Sequence, residues 1–104
     1  MENNSHNVTV NVTFRNIDST DSLKAYATEK IGHCIKKYIH HDTAANLTLL
    51  VEKNRQIAEL SLRAFGTSFN GKEESGNMYT SIDALVDSIA TQLRRHKERV
   101  TSHH

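Results

Sequence analysis

"VTVNVTFRNIDSTDSLKAYATEKIGHCIKKY", residues 8–38, contains the change of hydrophobic period on which the fold turns. In its first eight residues Val8, Val10, Val12 and Phe14 alternate with Thr9, Asn11, Thr13 and Arg15. A period of two marks a strand buried on one face. The period then lengthens, and Leu23, Ala27, Ile31, Cys34 and Tyr38 recur at steps of three and four, with Tyr26 and Ile35 widening the stripe. That spacing belongs to a helix with one apolar face. Between the two patterns, "NIDSTDS" offers Ser19 or Thr20 as an N-cap and puts Asp21 in the first turn, where a negative charge suits the helix dipole. The sequence therefore predicts a strand over residues 8–15 and a helix over about 21–39.

Working outward, "ANLTLLVEKNRQIAELSLRAFG", residues 45–66, reads as two strands joined by a polar turn at "EKNRQ". Leu47, Leu49 and Val51 share one face of the first, while Ala58, Leu60, Leu62 and Ala64 share one face of the second. Gly66 supplies a turn conformation, and "TSFNGKEE", residues 67–74, is a weaker, polar strand suited to a sheet edge. After "SGN", Asn77 can cap a last helix, expected over about 77–99, whose stripe is Met78, Ile82, Leu85, Val86, Ile89 and Leu93. The order is βαβββα. A strand, helix and parallel strand require a right-handed crossover, which sets the first helix on one face of the sheet. Only one face is strongly apolar, so the second helix is expected to share it. The fold class is α+β, a four-stranded mixed sheet with two helices side by side on one face.

With 104 residues, 37% of them hydrophobic and no Trp, the chain suits one small domain over residues 8–100, with flexible segments at 1–7 and 101–104. There is no basic-then-apolar leader at the start, and no apolar run approaches the roughly 20 residues needed to cross a bilayer. The lone Cys34 cannot form an internal disulfide and is expected to fill the core. These features predict a cytoplasmic protein with no membrane partner.

Net charge is only +1, yet the charges are unevenly distributed. Residues 24–41 hold four lysines against Glu29, a net +3, and residues 88–104 hold four lysines and arginines against Glu98, again +3. On the first helix Lys30, His33 and Lys37 fall along one flank at roughly 100° per residue. On the second, Arg95 and Arg99 share a flank with Ser88 and Gln92, and Asp83, Asp87 and Arg94 occupy the other. The Arg95 flank is expected to face the first helix, so that Arg95 and Arg99 stand across a groove from Lys30, His33 and Lys37 and the two cationic edges can follow a phosphate backbone. Arg94 is then expected to be partly neutralised by its acidic neighbours. The competing reading is a solvated helix end, since cations favour helix C-termini for dipole reasons alone. The few aromatic residues fit the core periodicity, so base stacking is not expected.

Catalysis finds no support. "HH" occurs at 40–41 and 103–104, but without HExxH or Cys/His zinc spacing, and there is no glycine-rich phosphate loop or nucleophile elbow. No cofactor and no metal are expected.

The stretches "VTVNVTFRNIDSTDSLKAYATEKI", "LLVEKNRQIAELSL" and "NMYTSIDALVDSIATQLRRHKE" together resemble the short ribosome hibernation promoting factors and their relative, the ribosome-associated inhibitor. The resemblance runs from about Val8 to Arg99 and is most specific at "MYTSID" and "QLRRHKE". It implies a fold laid out like a double-stranded RNA-binding domain and a partner in the small ribosomal subunit and its ribosomal RNA. Binding would fall between head and body, across the positions of messenger RNA and the A- and P-site transfer RNAs, silencing translation in idle cells. By the resemblance, Lys30 and His33 match basic positions of the first helix, and Arg95, His96, Lys97 and Arg99 match the basic tail of the second. Asn77 replaces the usual Asp before "MY", and Ser88 and Thr91 stand where relatives often carry Lys or Arg. The short ending suggests a chain without the dimerisation domain of long-form relatives. It implies a monomer off the ribosome, with any pairing of ribosomes dependent on a separate ribosome modulation factor. Two alternatives stand beside it. One is a module for structured RNA in general; the other is an interaction domain using the open sheet face, with Thr9, Asn11, Thr13, Glu59, Ser61 and Arg63, which is polar for that purpose.

Overall fold

β1 (Val8–Arg15) ends where the sequence period changes, and α1 (Asp21–Tyr38) follows. Of the two candidate caps, Thr20 fills the role: its Oγ1 accepts a hydrogen bond from the Leu23 N–H at 3.1 Å. β2 (Thr43–Glu52), β3 (Arg55–Ala64), β4 (Thr67–Ser75) and α2 (Met78–Thr101) complete the βαβββα order, in a computed structural model that describes residues 7–101. The expected flexible segments at 1–7 and 101–104 lie outside the described residues except at their inner ends. There Asn7 donates its N–H to Asp42 Oδ1 at 2.8 Å, and Thr101 closes α2.

The strands lie in sequence order, β1-β2-β3-β4. β1 runs parallel to β2, with Val8 opposite Thr43, and the other two pairs are antiparallel. The polar turn between β2 and β3 narrows to Lys53 and Asn54, since Glu52 pairs with Arg55. Phe65 and Gly66 turn the chain between β3 and β4, where Ala64 pairs with Thr67.

Both helices cover one face, as the apolar patterning requires. Ala27, Ile31 and Ile35 of α1 and Ile82, Leu85, Ile89 and Leu93 of α2 are buried against Ala45, Leu47, Leu49, Ala58, Leu60 and Leu62. The opposite face is polar, with one exception. Leu50 and Ile57 stand directly opposite each other on it, yet both are buried. The same face carries Arg55, whose guanidinium is 3.1 Å from Glu52 and 2.9 Å from Glu74. The aliphatic stems of such side chains shield apolar surface while their heads stay in water.

β4 is an edge strand, and its glycine has a use that composition does not reveal. A Cβ placed on Gly71 would come within 2.8 Å of Leu85 Cδ1 and 3.2 Å of Ile89 Cδ1. The glycine lets α2 lie close on the strand. Alongside it, Gln92 donates its side-chain amide to the Asn70 carbonyl at 2.7 Å, satisfying an acceptor that an edge otherwise leaves open. At the start of α2, Asn77 Oδ1 accepts from the N–H groups of Tyr79 and Thr80. One turn on, fully buried Ser81 donates to the Gln56 carbonyl at 2.6 Å, which pins α2 to β3. Its hydroxyl also lies 2.7 Å from that of Ser75.

Two expectations follow from this packing. Leu85→Ala should cost about 2–5 kcal/mol as a buried large-to-small change, and Gly71→Ala about 1–3 kcal/mol through overpacking. Because the new methyl occupies the space that Leu85 vacates, the double variant should lose clearly less than the sum in urea unfolding. Strict additivity would show that the two sites do not share that space. The second concerns Cys34, which is buried, with its thiol 3.9 Å from the Val86 carbonyl. Burial pushes its pKa up to about 11, Asp87 adds to the rise and Lys37 opposes it. The reactive thiolate is thus scarce at pH 8, and a thiol reagent should label the folded chain roughly a hundredfold more slowly than the chain in urea. Equal rates would mean that Cys34 is open to solvent.

Candidate nucleic-acid interface

Strand sense decides where the basic residues gather. β1, β2 and β4 run one way, so α1, which returns from β1, and α2, which follows β4, both run the other way. The helices are therefore parallel neighbours. Their first halves meet where Tyr26 donates its hydroxyl to Asp83 at 2.5 Å and packs edge-on against Tyr79 at 4.9 Å. This hydrogen bond to a carboxylate, together with partial desolvation, raises the Tyr26 pKa. Further along, Cys34 meets Val86. Both C-terminal halves then lie at the end of the molecule that also holds the α1–β2 loop and the β3–β4 turn.

Lys30, His33 and Lys37 lie together, as their spacing predicts. They border a shallow groove of about 330 Å³ whose other wall is Val86 and Ala90 of α2, with Cys34 and Tyr38 at its base. Lys30 Nζ stands 5.5 Å from the Tyr26 ring centre and Lys37 Nζ 5.5 Å from that of Tyr38, which favours these cations near the groove.

The α2 cations divide differently from the expectation. Arg95 and Arg99 share the flank of Gln92, and Gln92 reaches the Asn70 carbonyl at the outer edge of β4, on the side away from α1. They do not face Lys30 and Lys37 across the groove. The flank turned to α1 is the one with Asp83 and Val86. Lys97 falls on this flank, since at roughly 100° per residue it returns to within about 20° of both Val86 and Ala90. Arg94 is partly neutralised, but by another partner than expected: Asp83 is engaged by Tyr26, and Arg94 Nε lies 3.8 Å from Glu98, one turn on. The C-terminal half of α2 thus carries cations on two sides, Lys97 toward α1 and the exposed Arg95 and Arg99 toward β4.

His96 lies between these flanks, turned toward the sheet. Its ring stacks on Phe65 at 4.9 Å with 16° between planes and meets Phe69 edge-on at 5.6 Å. His41, from the α1–β2 loop, meets Phe65 edge-on at 5.5 Å. Phe65 is nonetheless 50% exposed and Tyr79 40%, so the general expectation that the aromatic residues fit the core periodicity fails at these two. A signal for Phe65 existed: it follows the inward-facing Ala64 and directly precedes Gly66, a turn position rather than a core one. Among the described residues, no group of three His, Cys, Asp or Glu side chains could hold a metal ion, and no helix is long and apolar enough to cross a membrane.

Comparison with known proteins agrees with this architecture. Residues 10–101 match the family described as Sigma 54 modulation protein / S30EA ribosomal protein. The ribosome hibernation promoting factor of Salmonella typhimurium is 31% identical over 94 residues, covering 90% of this chain and 98% of that protein. The protein of the same name from Azotobacter vinelandii is 33% identical over 90 residues, covering 86% and 83%. Among solved structures, the N-terminal domain of Thermus thermophilus Protein Y superposes with a TM-score of 0.76 at 26% identity, covering 86% of this chain and 98% of that one. A ribosomal subunit interface protein from Coxiella burnetii shares the fold, with a TM-score of 0.77 at 21% identity, over 86% and 97% of the two chains. With its four-stranded sheet, its paired helices and a match that spans nearly its whole length, the chain belongs to the Sigma 54 modulation protein / S30EA ribosomal protein family.

Proposed function

We propose that this protein is a ribosome hibernation factor that binds the small ribosomal subunit through ribosomal RNA and silences translation by occluding the messenger and the A- and P-site transfer RNA positions. The observation that carries the reading is the collection of cations at one end of two parallel helices, in a chain whose relatives are named ribosome hibernation promoting factors. Lys30, His33 and Lys37 contact RNA phosphates from the α1 side of the groove, and Lys97 from the α2 side. Arg95 and Arg99 do so from the β4 side of α2, with His96 between that flank and the one that carries Lys97. The contact surface therefore wraps the end of α2 and is not confined to the groove. No bond is made or broken in this role, and no cofactor takes part. The polar open face of the sheet favours a monomer off the ribosome, and pairing of ribosomes falls to a separate modulation factor.

Co-sedimentation with purified small subunits tests this directly. Binding should saturate near one copy per subunit, and Arg95→Glu and Lys30→Glu should each weaken it without lowering the melting temperature. Each lost phosphate contact should flatten the dependence of log K on log salt by roughly one unit. Arg94→Glu should do less, because Arg94 is already paired with Glu98. Equal effects at Arg94 and Arg95 would reduce the helix end to undirected charge. Equal affinity for arbitrary RNA hairpins and for subunits would favour a general module for structured RNA instead.

A further inference from the structure

The β3–β4 turn places an aromatic residue where backbone chemistry disfavours one. Phe65 and Gly66 have φ of 58° and 71°, and positive φ at both central positions is the signature of a type I′ turn. Asn, Asp or Gly suits the first of these positions, whereas a bulky side chain there is an outlier. Nothing in the core compensates for it. The Phe65 ring is not among the buried residues, and half its surface remains in solvent after His96 and His41 are in place. Strain of this kind, maintained on an exposed side chain, points to a use outside the fold.

The surroundings narrow that use. His96 lies nearly parallel to Phe65, at 16°, so two flat rings are already stacked. On the flank beside His96 stand the exposed Arg95 and Arg99. A planar π surface flanked by cations is the combination that receives an unpaired nucleotide, the base against the ring and the phosphates against the guanidinium groups. An apolar partner is a poorer fit, because the rim is charged and Phe65 is a single ring rather than part of an extended apolar patch.

We propose that Phe65, backed by His96, is a stacking platform for one unpaired base of ribosomal RNA in the small subunit. It rests on the hibernation reading above and adds to it a contact that is not electrostatic. Stacking differs from phosphate contact in a measurable way, since it releases no counterions.

The test compares the parent, Phe65→Asn, Phe65→Trp and Arg95→Glu in binding to vacant small subunits across a salt series, with a thermal melt of each. Phe65→Asn installs a side chain that the turn prefers and should melt at or above the parent. It should bind at least about fivefold more weakly, with the same salt slope. Phe65→Trp should keep the parent affinity, while Arg95→Glu should flatten the slope. Parent-like binding by Phe65→Asn would overturn the proposal and leave the hibernation reading intact. So would a lower melting temperature with a proportionate loss of binding, which would make Phe65 a packing residue. Failure of the parent itself to bind subunits would remove both.

Discussion

The parallel pairing of β1 with β2 is the constraint from which the rest of the arrangement follows. A parallel neighbour cannot be reached by a tight turn, so the chain must cross over the sheet, and α1 is that crossover. Two hairpins then reverse the chain twice, returning β4 to the direction of β2. α2 has no other sense available than that of α1. Had the sheet one strand more or fewer, the helices would be antiparallel and their C-termini would lie at opposite ends. Parallel helices bring their negative dipole ends together, and Lys36, Lys37 and Arg99 in the last turns answer that polarity.

Close approach at β4 secures the second helix. Gly71 removes the side chain that would hold α2 away, and Ser81 ties the first turn of the helix to the backbone of β3. Gln92 does the same for the edge of β4 about three turns further on. These contacts fix α2 in rotation as well as position. Its rotation decides that His96 faces the sheet, Lys97 faces α1, and Arg95 and Arg99 face outward past β4.

Much of this was legible in the sequence. The change of period at Arg15 located β1 and α1, and the stripe from Met78 to Leu93 located α2, because burial on one face leaves a repeat that no other constraint imitates. Sorting of charge by helix flank was legible too. The flank that meets α1 was not, because that depends on the order of strands across the sheet, which a helical repeat does not encode. Arg95 and Arg99 were for that reason set across a groove they do not border. Leu50 and Ile57 escaped similarly: each breaks its strand's alternation, and only the register of β2 against β3 makes them partners. Phe65 drew no separate reading because a regular core made burial the default for aromatic residues, whereas its φ is a property of the turn.

The arrangement of chain ends also bears on how the protein meets its target. Toward the end where the helices begin, Asp18, Asp21, Glu52, Glu73 and Glu74 are nearly balanced by Arg15, Lys24, Lys53 and Arg55, whereas toward the end where they finish Lys36, Lys37, Arg94, Arg95, Lys97 and Arg99 outnumber Asp42 and Glu98. A net charge of +1 therefore conceals a molecule whose excess of positive charge sits at one end. Near a polyanion such a molecule experiences a torque before it makes any contact, so that encounters begin with the helix C-termini leading. Orientation of this kind raises the association rate rather than the lifetime of the complex. It fades as added salt shortens the Debye length below about 10 Å.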